Sequence, residues 1–312
     1  MTPPPIAIMS CNRPVMLYRV LESLRSQIAP VDAARVGLFQ DVAPEEAVED
    51  VAAASACIAI FRSLFPEGSV HATEVNLGTA LNFDRAERHL FQTLDAEVGY
   101  ILEDDMVLSP HYLTAMDMMA AFALSEERVG TFAAYGMHRA TPEAMGQQRR
   151  RITQMHHSWA FGLTRRHWLR CREVVEGYLA LIGPGNYRKR PHGAIREHFA
   201  ALGVPSLATS QDAAKNVACH LAGAARITCI PAYGHYIGSQ GEHFTEDAYR
   251  KGGYGATRLF EEAPEGFDFP SSQQLAAMAC RDAVTTALSA VPAPAKAPVA
   301  GPVLAVPAPA LA

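Results

Sequence analysis

Short apolar runs alternate with helical periodicities through the first third of the chain. Ile6 to Ser10 is an apolar run that breaks at Cys11-Asn12-Arg13-Pro14. Leu17, Val20, Leu21 and Leu24 then recur at i, i+3, i+4 and i+7, the spacing of one helix face. Asn12 suits a cap for that helix and Pro14 its first turn. Val36 to Phe39 reads as a second strand ending at Gln40-Asp41, and Pro44 to Phe65 as a helix with Glu45 and Glu46 in its first turn. Val70 to Val75 reads as a third strand. Asn76-Leu77-Gly78 is a turn, and Thr79 to Leu94 a helix carrying Leu81, Leu90 and Phe91. Tyr100-Ile101-Leu102 is a fourth strand, and it stops in three consecutive carboxylates, Glu103-Asp104-Asp105.

Strands and helices in strict alternation predict an α/β fold with a mostly parallel sheet flanked by helices. Ligands of such sheets bind at the carboxyl ends of the strands. The polar residues falling there are Asn12 and Arg13, Asp41, Asn76, and Glu103 to Asp105. Three acids at the exit of a buried strand cost desolvation and mutual repulsion unless a positive charge sits beside them. A divalent cation sharing its coordination with phosphate oxygens would serve. The plainer alternative is an acidic turn capping the next helix, which one acid satisfies better than three. If repulsion dominates, Asp105→Ala leaves the metal-free protein as stable as before or more so.

The pattern continues with a helix over Pro110 to Leu124, a strand over Val129 to Tyr135, an aromatic strand from His157 to Thr164 and a helix from Arg166 to Leu181, closed by Gly183-Pro184-Gly185. Arg149-Arg150-Arg151 reads as a solvated basic turn, with a phosphate-facing lid as the sharper alternative. Arg188 to Pro191 is a second basic cluster, and a helix follows it to about Leu202. Ser210 caps a helix over Ala213 to Ala222, Asp212 lies in its first turn, and Arg226 to Ala232 is a strand. Gly234 to Phe244 has loop composition and holds His235 and His243. From about Val291 the chain is apolar but broken repeatedly by Pro, which reads as a disordered tail.

Composition narrows the function classes. The 312 residues are 49% hydrophobic and 19% charged, ordinary values for a globular protein with a large core. A net charge of -5 gives no footprint for nucleic acid or acidic membranes. The six cysteines are scattered without a CxxC pair, so they read as reduced thiols. No signal-peptide pattern opens the sequence, and no apolar run reaches the roughly 18–20 residues of a membrane span. A cytoplasmic location is the expectation. No GxGxxG follows the first strand and no P-loop occurs.

The ordered set Ser10-Cys11-Asn12-Arg13-Pro14, Gln40-Asp41, Asn76-Leu77-Gly78 and Glu103-Asp104-Asp105, followed by the aromatic segment from Ser158 to Leu163, resembles GT-A glycosyltransferases. Within that Rossmann-like fold it most resembles the β-1,2-N-acetylglucosaminyltransferase I family and its bacterial relatives. The resemblance runs from about Pro5 to Phe122 and more loosely from Trp159 to Tyr254. It implies an inverting hexosyl- or N-acetylhexosaminyltransferase, N-acetylglucosamine being one candidate sugar, with a UDP-sugar donor and Mn²⁺ or Mg²⁺. It further implies a nucleotide-sugar-binding half over 1–125, an acceptor-side and catalytic half of the same domain over 126–270, and a C-terminal extension over 271–312.

Carried over position by position, Arg13 stands near the nucleotide, Asp41 reads the uracil, Glu103 and Asp104 face the sugar and ribose, and Asp105 is the direct metal ligand. Asn12 stands where that family has Asp, and Asn76 helps hold the donor loop. The family's pair of aspartates after the aromatic segment is missing, so Asp212 is the substitute for the catalytic base, with an ordinary acid at a helix N-terminus as the alternative. His243 is the favoured second metal ligand and His235 the alternative. Trp159 is a candidate for stacking on a sugar, though core packing is commoner for such a residue. The acceptor (glycan, lipid-linked sugar or protein) is not specified. A nucleotidyltransferase would use a similar acidic site but wants a glycine-rich basic loop after strand one. A non-catalytic nucleotide-sugar-binding protein would not need an intact triplet.

Overall fold

The computed structural model describes residues 2–43, 48–185, 187–239 and 245–288. In chain order its elements are β1 (Ile6–Ser10), α1 (Pro14–Arg25), β2 (Val36–Gln40), α2 (Val48–Leu64), β3 (Ser69–Ala72), α3 (Gly78–Arg88), β4 (Val98–Glu103), β5 (Met106–Leu108), α4 (Tyr112–Ser125), β6 (Val129–Ala133), α5 (Pro142–Gln147) and β7 (Ile152–Gln154). They continue with β8 (Ala160–Thr164), α6 (Arg165–Leu181), α7 (His192–Ala201), α8 (Gln211–Leu221), β9 (Ala225–Cys229), β10 (Gly234–Tyr236), α9 (Glu246–Gly252) and α10 (Ser272–Leu288).

One mixed sheet of eight strands, ordered β3-β2-β1-β4-β8-β6-β9-β7, forms the centre. Its pairings are parallel except where β8 meets β4 and β6 and where β7 meets β9. Every residue of β1, β2, β6, β8 and β9 is buried, so these strands read as continuous apolar runs and not as alternations. One main core packs β1, β2 and β4 against α1, α2 and α4 through Leu21, Leu38, Phe61, Leu102 and Met116. A second lies on the other face around Phe83, Leu90, Phe161 and Trp168. The expected mostly parallel sheet flanked by helices is therefore present.

Several local expectations change. The third strand ends at Ala72, not Val75, because it is the sheet edge and only half-buried. In α3 the core face is Ala80, Phe83 and Ala86, while Leu81 is only partly covered. A π-helical turn, His89–Thr93, carries the buried Leu90 and Phe91 onward. Tyr135 and Ala232, read as strand ends, meet only in an isolated bridge. The stretch Gly234–Tyr236, read as loop, is β10, paired antiparallel with β5. α10 is integral: Leu275 and Ala279 are buried, and the Ala279 carbonyl lies 3.2 Å from His220 Nδ1 of α8. The sequence positions 44–47 and 289–312, with the acidic first turn and the Ala/Pro stretch read into them, lie outside the described residues.

Candidate functional site

Parallel strands that end together leave a crevice at their carboxyl edge, and here it is a cleft of about 840 Å³. Its floor is the ends of β1, β2 and β4. Its far wall is Trp159 ahead of β8, the segment carrying Arg188 and Arg190, the N-terminus of α8 and Tyr236 of β10. Asn12, Arg13, Asp41, Asn76, Glu103, Asp104, Asp105 and Asp212 all line it. The structure thus brings together residues from 12 to 212 that the sequence placed on separate elements.

The acidic triplet is not a helix cap. Glu103 closes β4 opposite Met9 of β1, Asp104 and Asp105 make the turn, and β5 intervenes before α4. The positive charge beside the acids is Arg13. Its Nη1 donates to Asp105 Oδ2 at 2.7 Å and its Nη2 to Asp104 Oδ1. Asp104 and Asp105 are 2% and 3% exposed. Burial pushes the Asp104 carboxyl up to about 6 against the pull of Arg13, and raises Asp105 in the same way. Glu103 is also raised, by burial first and then by Asp105 and Asp212. Burial alone would weaken the charge on Arg13, but Asp104 and Asp105 hold it more firmly.

The partners of this ion pair therefore point in opposite senses. Arg13 is partly exposed and keeps solvent, so the buried carboxylates carry the desolvation, and their sign governs. Asp104 Oδ2 and Asp105 Oδ1 are buried without a hydrogen-bond partner. Two unsatisfied carboxylate oxygens fit a hard cation bound by one or two carboxylates and substrate phosphates. Among the described residues, no three His, Cys, Asp or Glu side chains converge as an all-protein metal cage.

Asp41 is committed locally. Its Oδ1 accepts from the Val42 and Leu77 amides at 2.9 Å and from Thr73 Oγ1 at 3.1 Å, and its Oδ2 accepts from the Gly78 amide at 2.8 Å. It anchors the turn that starts α3. Gly78 is required there: its φ is +72°, and a Cβ would collide with the Gly185 carbonyl. Asn76 Nδ2 donates to the Val42 carbonyl, which leaves Asn76 Oδ1 buried without a partner. Asn12 does not cap α1. Its Nδ2 donates to Asp50 Oδ1 at 2.7 Å, and Arg13 occupies the cap position without a side-chain bond.

Ser210 caps α8 as expected, accepting from the Ala213 amide at 3.2 Å, and Asp212 Oδ1 accepts from Gln211 Nε2 at 2.9 Å. His235 is not part of the cleft lining. Strand alternation turns Tyr236 to the cleft instead, where its ring stacks on Trp159 at 4.0 Å and 12°. Trp159 is half-buried, lining the cleft while packing against the main core. His243 lies outside the described residues. Arg149 and Arg150 pair with Glu265 and Asp268 on the surface, away from the cleft, as a solvated turn should. Sequence reading missed Tyr236, Arg188 and Arg190.

No family profile and no curated protein matches the chain. Part of the fold is similar to solved structures at low identity. The mannosyltransferase PcManGT from Pyrobaculum calidifontis, solved with GDP-Man and Mn²⁺, shares 14% identity over 70% of this chain and 72% of its own, with a TM-score of 0.37. A TarS structure from S. aureus shares 12% over 75% of this chain and 61% of its own, at 0.39. The galactosyltransferase LgtC, solved with donor and acceptor sugar analogues, shares 12% over 57% and 66%, at 0.32.

Proposed function

We propose that this cleft is the active site of an inverting GT-A glycosyltransferase that moves a hexosyl or N-acetylhexosaminyl group from a UDP-sugar to an acceptor hydroxyl. The observation that carries the reading is a carboxylate set drawn from both halves of the chain onto one cleft. Glu103 to Asp105 sit at the strand ends, and Asp212 lies near enough to raise the Glu103 pKa.

In this reading the acceptor oxygen bonds to the anomeric carbon while the bond from that carbon to the diphosphate breaks. Asp212 takes the hydroxyl proton, and the electron pair leaves with the diphosphate. Asp212 lies in the first turn of α8, and proton capture falls late, once the attacking hydroxyl has become acidic. Asp105, with Asp104 beside it, would hold Mn²⁺ or Mg²⁺, which supplies charge neutralisation to the leaving diphosphate. His243 stays the candidate second ligand. Arg13 yields part of its hold on the carboxylates to the donor. Asp41 positions the donor loop through Leu77 and Gly78, and the Trp159–Tyr236 stack offers an apolar platform for a sugar ring.

The test is a screen of UDP-sugars and GDP-mannose, with and without MnCl₂, read as released nucleoside diphosphate. Metal-stimulated turnover that Asp105→Ala and Asp212→Asn each abolish is the expected result. Absence of both turnover and UDP binding would sink the proposal.

A further inference from the structure

The donor reading leaves one segment of the far wall unexplained, and that segment is cationic. Arg188 and Arg190 line the cleft from the C-terminal half, on the same wall as Asp212. Arg190 is only 9% exposed, an expensive place for a guanidinium unless it meets an anion or acceptor oxygens. Protein partners satisfy it only in part. Its Nη1 donates to the Tyr178 hydroxyl at 2.8 Å, and its guanidinium lies 5.2 Å over the Tyr187 ring. Its Nε is buried with no partner.

The group is held in place by a dedicated network. The Tyr178 hydroxyl donates to the Thr209 carbonyl at 3.1 Å. Thr209 Oγ1 lies 2.9 Å from the Tyr187 hydroxyl and 2.7 Å from His192 Nδ1. Thr209 precedes the Ser210 cap of α8, so one network fixes both the arginine segment and the helix start that bears Asp212. Arg190 and Asp212 line the same wall of the cleft.

Resting on the transferase reading above, we propose that the acceptor carries a phosphate group, which Arg190 and Arg188 bind while its hydroxyl faces Asp212. In that reading the donor diphosphate is held at the strand ends, by the Arg13, Asp104 and Asp105 group. Guanidinium forks suit phosphate oxygens, and a preorganised one loses little freedom on binding. An anchor beside the base would orient the hydroxyl, which is what the acceptor half must accomplish.

The test is calorimetric titration of the full chain with inorganic phosphate, first alone and then with the donor site saturated by UDP and MgCl₂. Phosphate should bind in both conditions with similar affinity. Arg188→Gln and Arg190→Lys should each weaken it by about tenfold or more, with UDP affinity unchanged. Arg190→Lys keeps the charge and loses the fork. If that variant fails to fold, Arg188→Gln and Tyr178→Phe carry the comparison. Loss of phosphate binding once UDP is present would overturn the proposal by assigning these arginines to the donor diphosphate. No phosphate binding to the wild-type chain would overturn it outright. A chain that binds phosphate but never UDP would instead count against the transferase reading, so the two failures are distinguishable.

Discussion

Asp104→Asn should stabilise the metal-free protein at neutral pH, although it removes one side of a buried ion pair. In the folded state the Asp104 carboxyl titrates at about 6, against an ordinary value of 3.8. Burial is the main cause, and the attraction of Arg13 only partly offsets it. The group is 2% exposed, so little solvent screening reduces the effect. At about 1.4 kcal/mol per pH unit, the difference amounts to about 3 kcal/mol against the charged form. The sign follows from linkage. A folded pKa above the unfolded one means the folded state binds more protons between about pH 4 and 6, so stability falls as pH rises through that window. Asn mimics the neutral acid at every pH. Urea unfolding in EDTA should therefore show the variant more stable by about 3 kcal/mol at pH 7.5, with the gap closing towards pH 4. Contributions from carboxylates that do not interact with Asp104 cancel, because only the difference between the two proteins is read, while Glu103 loses a repulsion and moves in the same direction. A variant less stable than wild type at pH 7.5 would show that the Arg13 pairing outweighs desolvation, and the reasoning fails.

Other perturbations probe neighbouring contacts. Arg13→Met should cost about 3 kcal/mol at pH 7.5 and less at pH 5, since protonation relieves the carboxylates it abandons; an equal loss at both pH values in urea unfolding would contradict this. Gly78→Ala should cost about 1–3 kcal/mol and weaken UDP binding, because the turn that Asp41 holds must shift; an unchanged melting temperature and affinity would refute it. Lys215, whose ammonium pairs with buried Glu87 and faces Phe83 and Phe161, should cost about 3–5 kcal/mol when replaced by Met. The double variant Glu87→Met/Lys215→Met should regain most of that, and additive losses would exclude the pairing as the cause.

The sheet and the edge bearing the site were legible because buried parallel strands leave apolar runs and their polar ends fall at one edge. What was not legible is pairing at a distance. The triplet plainly needed a cation, but nothing local in the chain says that Arg13, 91 and 92 positions away from Asp104 and Asp105, supplies it. The expectation for Asp105→Ala gains a second cause: burial raises Asp105 with Arg13 opposing, and its repulsion shows in the raised Glu103 and Asp104 carboxyls. β5 and β10 have three residues each, too short for a period-2 signal, so Tyr236 was read as loop. Arg188 and Arg190 showed only as a basic cluster, because charge in a sequence does not reveal burial. Asp41 was recognised at a strand end, but a carboxylate that binds its own loop and one that binds a ligand look the same in a sequence.

The contacts joining the two halves bear on the chemistry directly. In the proposed reaction, transfer between a donor at the strand ends and a hydroxyl at Asp212 would tolerate little error in their separation. That separation is set by elements far apart in sequence, and the chain fastens them at several points. The Gly185 amide donates to the Leu77 carbonyl at 3.3 Å, seating the α6–α7 connection on the turn that Asp41 holds. Lys215, one helical turn beyond Asp212, pairs with Glu87 of α3, the helix whose start Asp41 holds. The Thr209 network ties the arginine segment to the cap of α8. Each fastening links an element of the cleft floor or the arginine segment to the helix or connection beside Asp212. A substitution at Glu87 or Thr209, neither of which lines the cleft, should therefore lower turnover more than it lowers donor affinity.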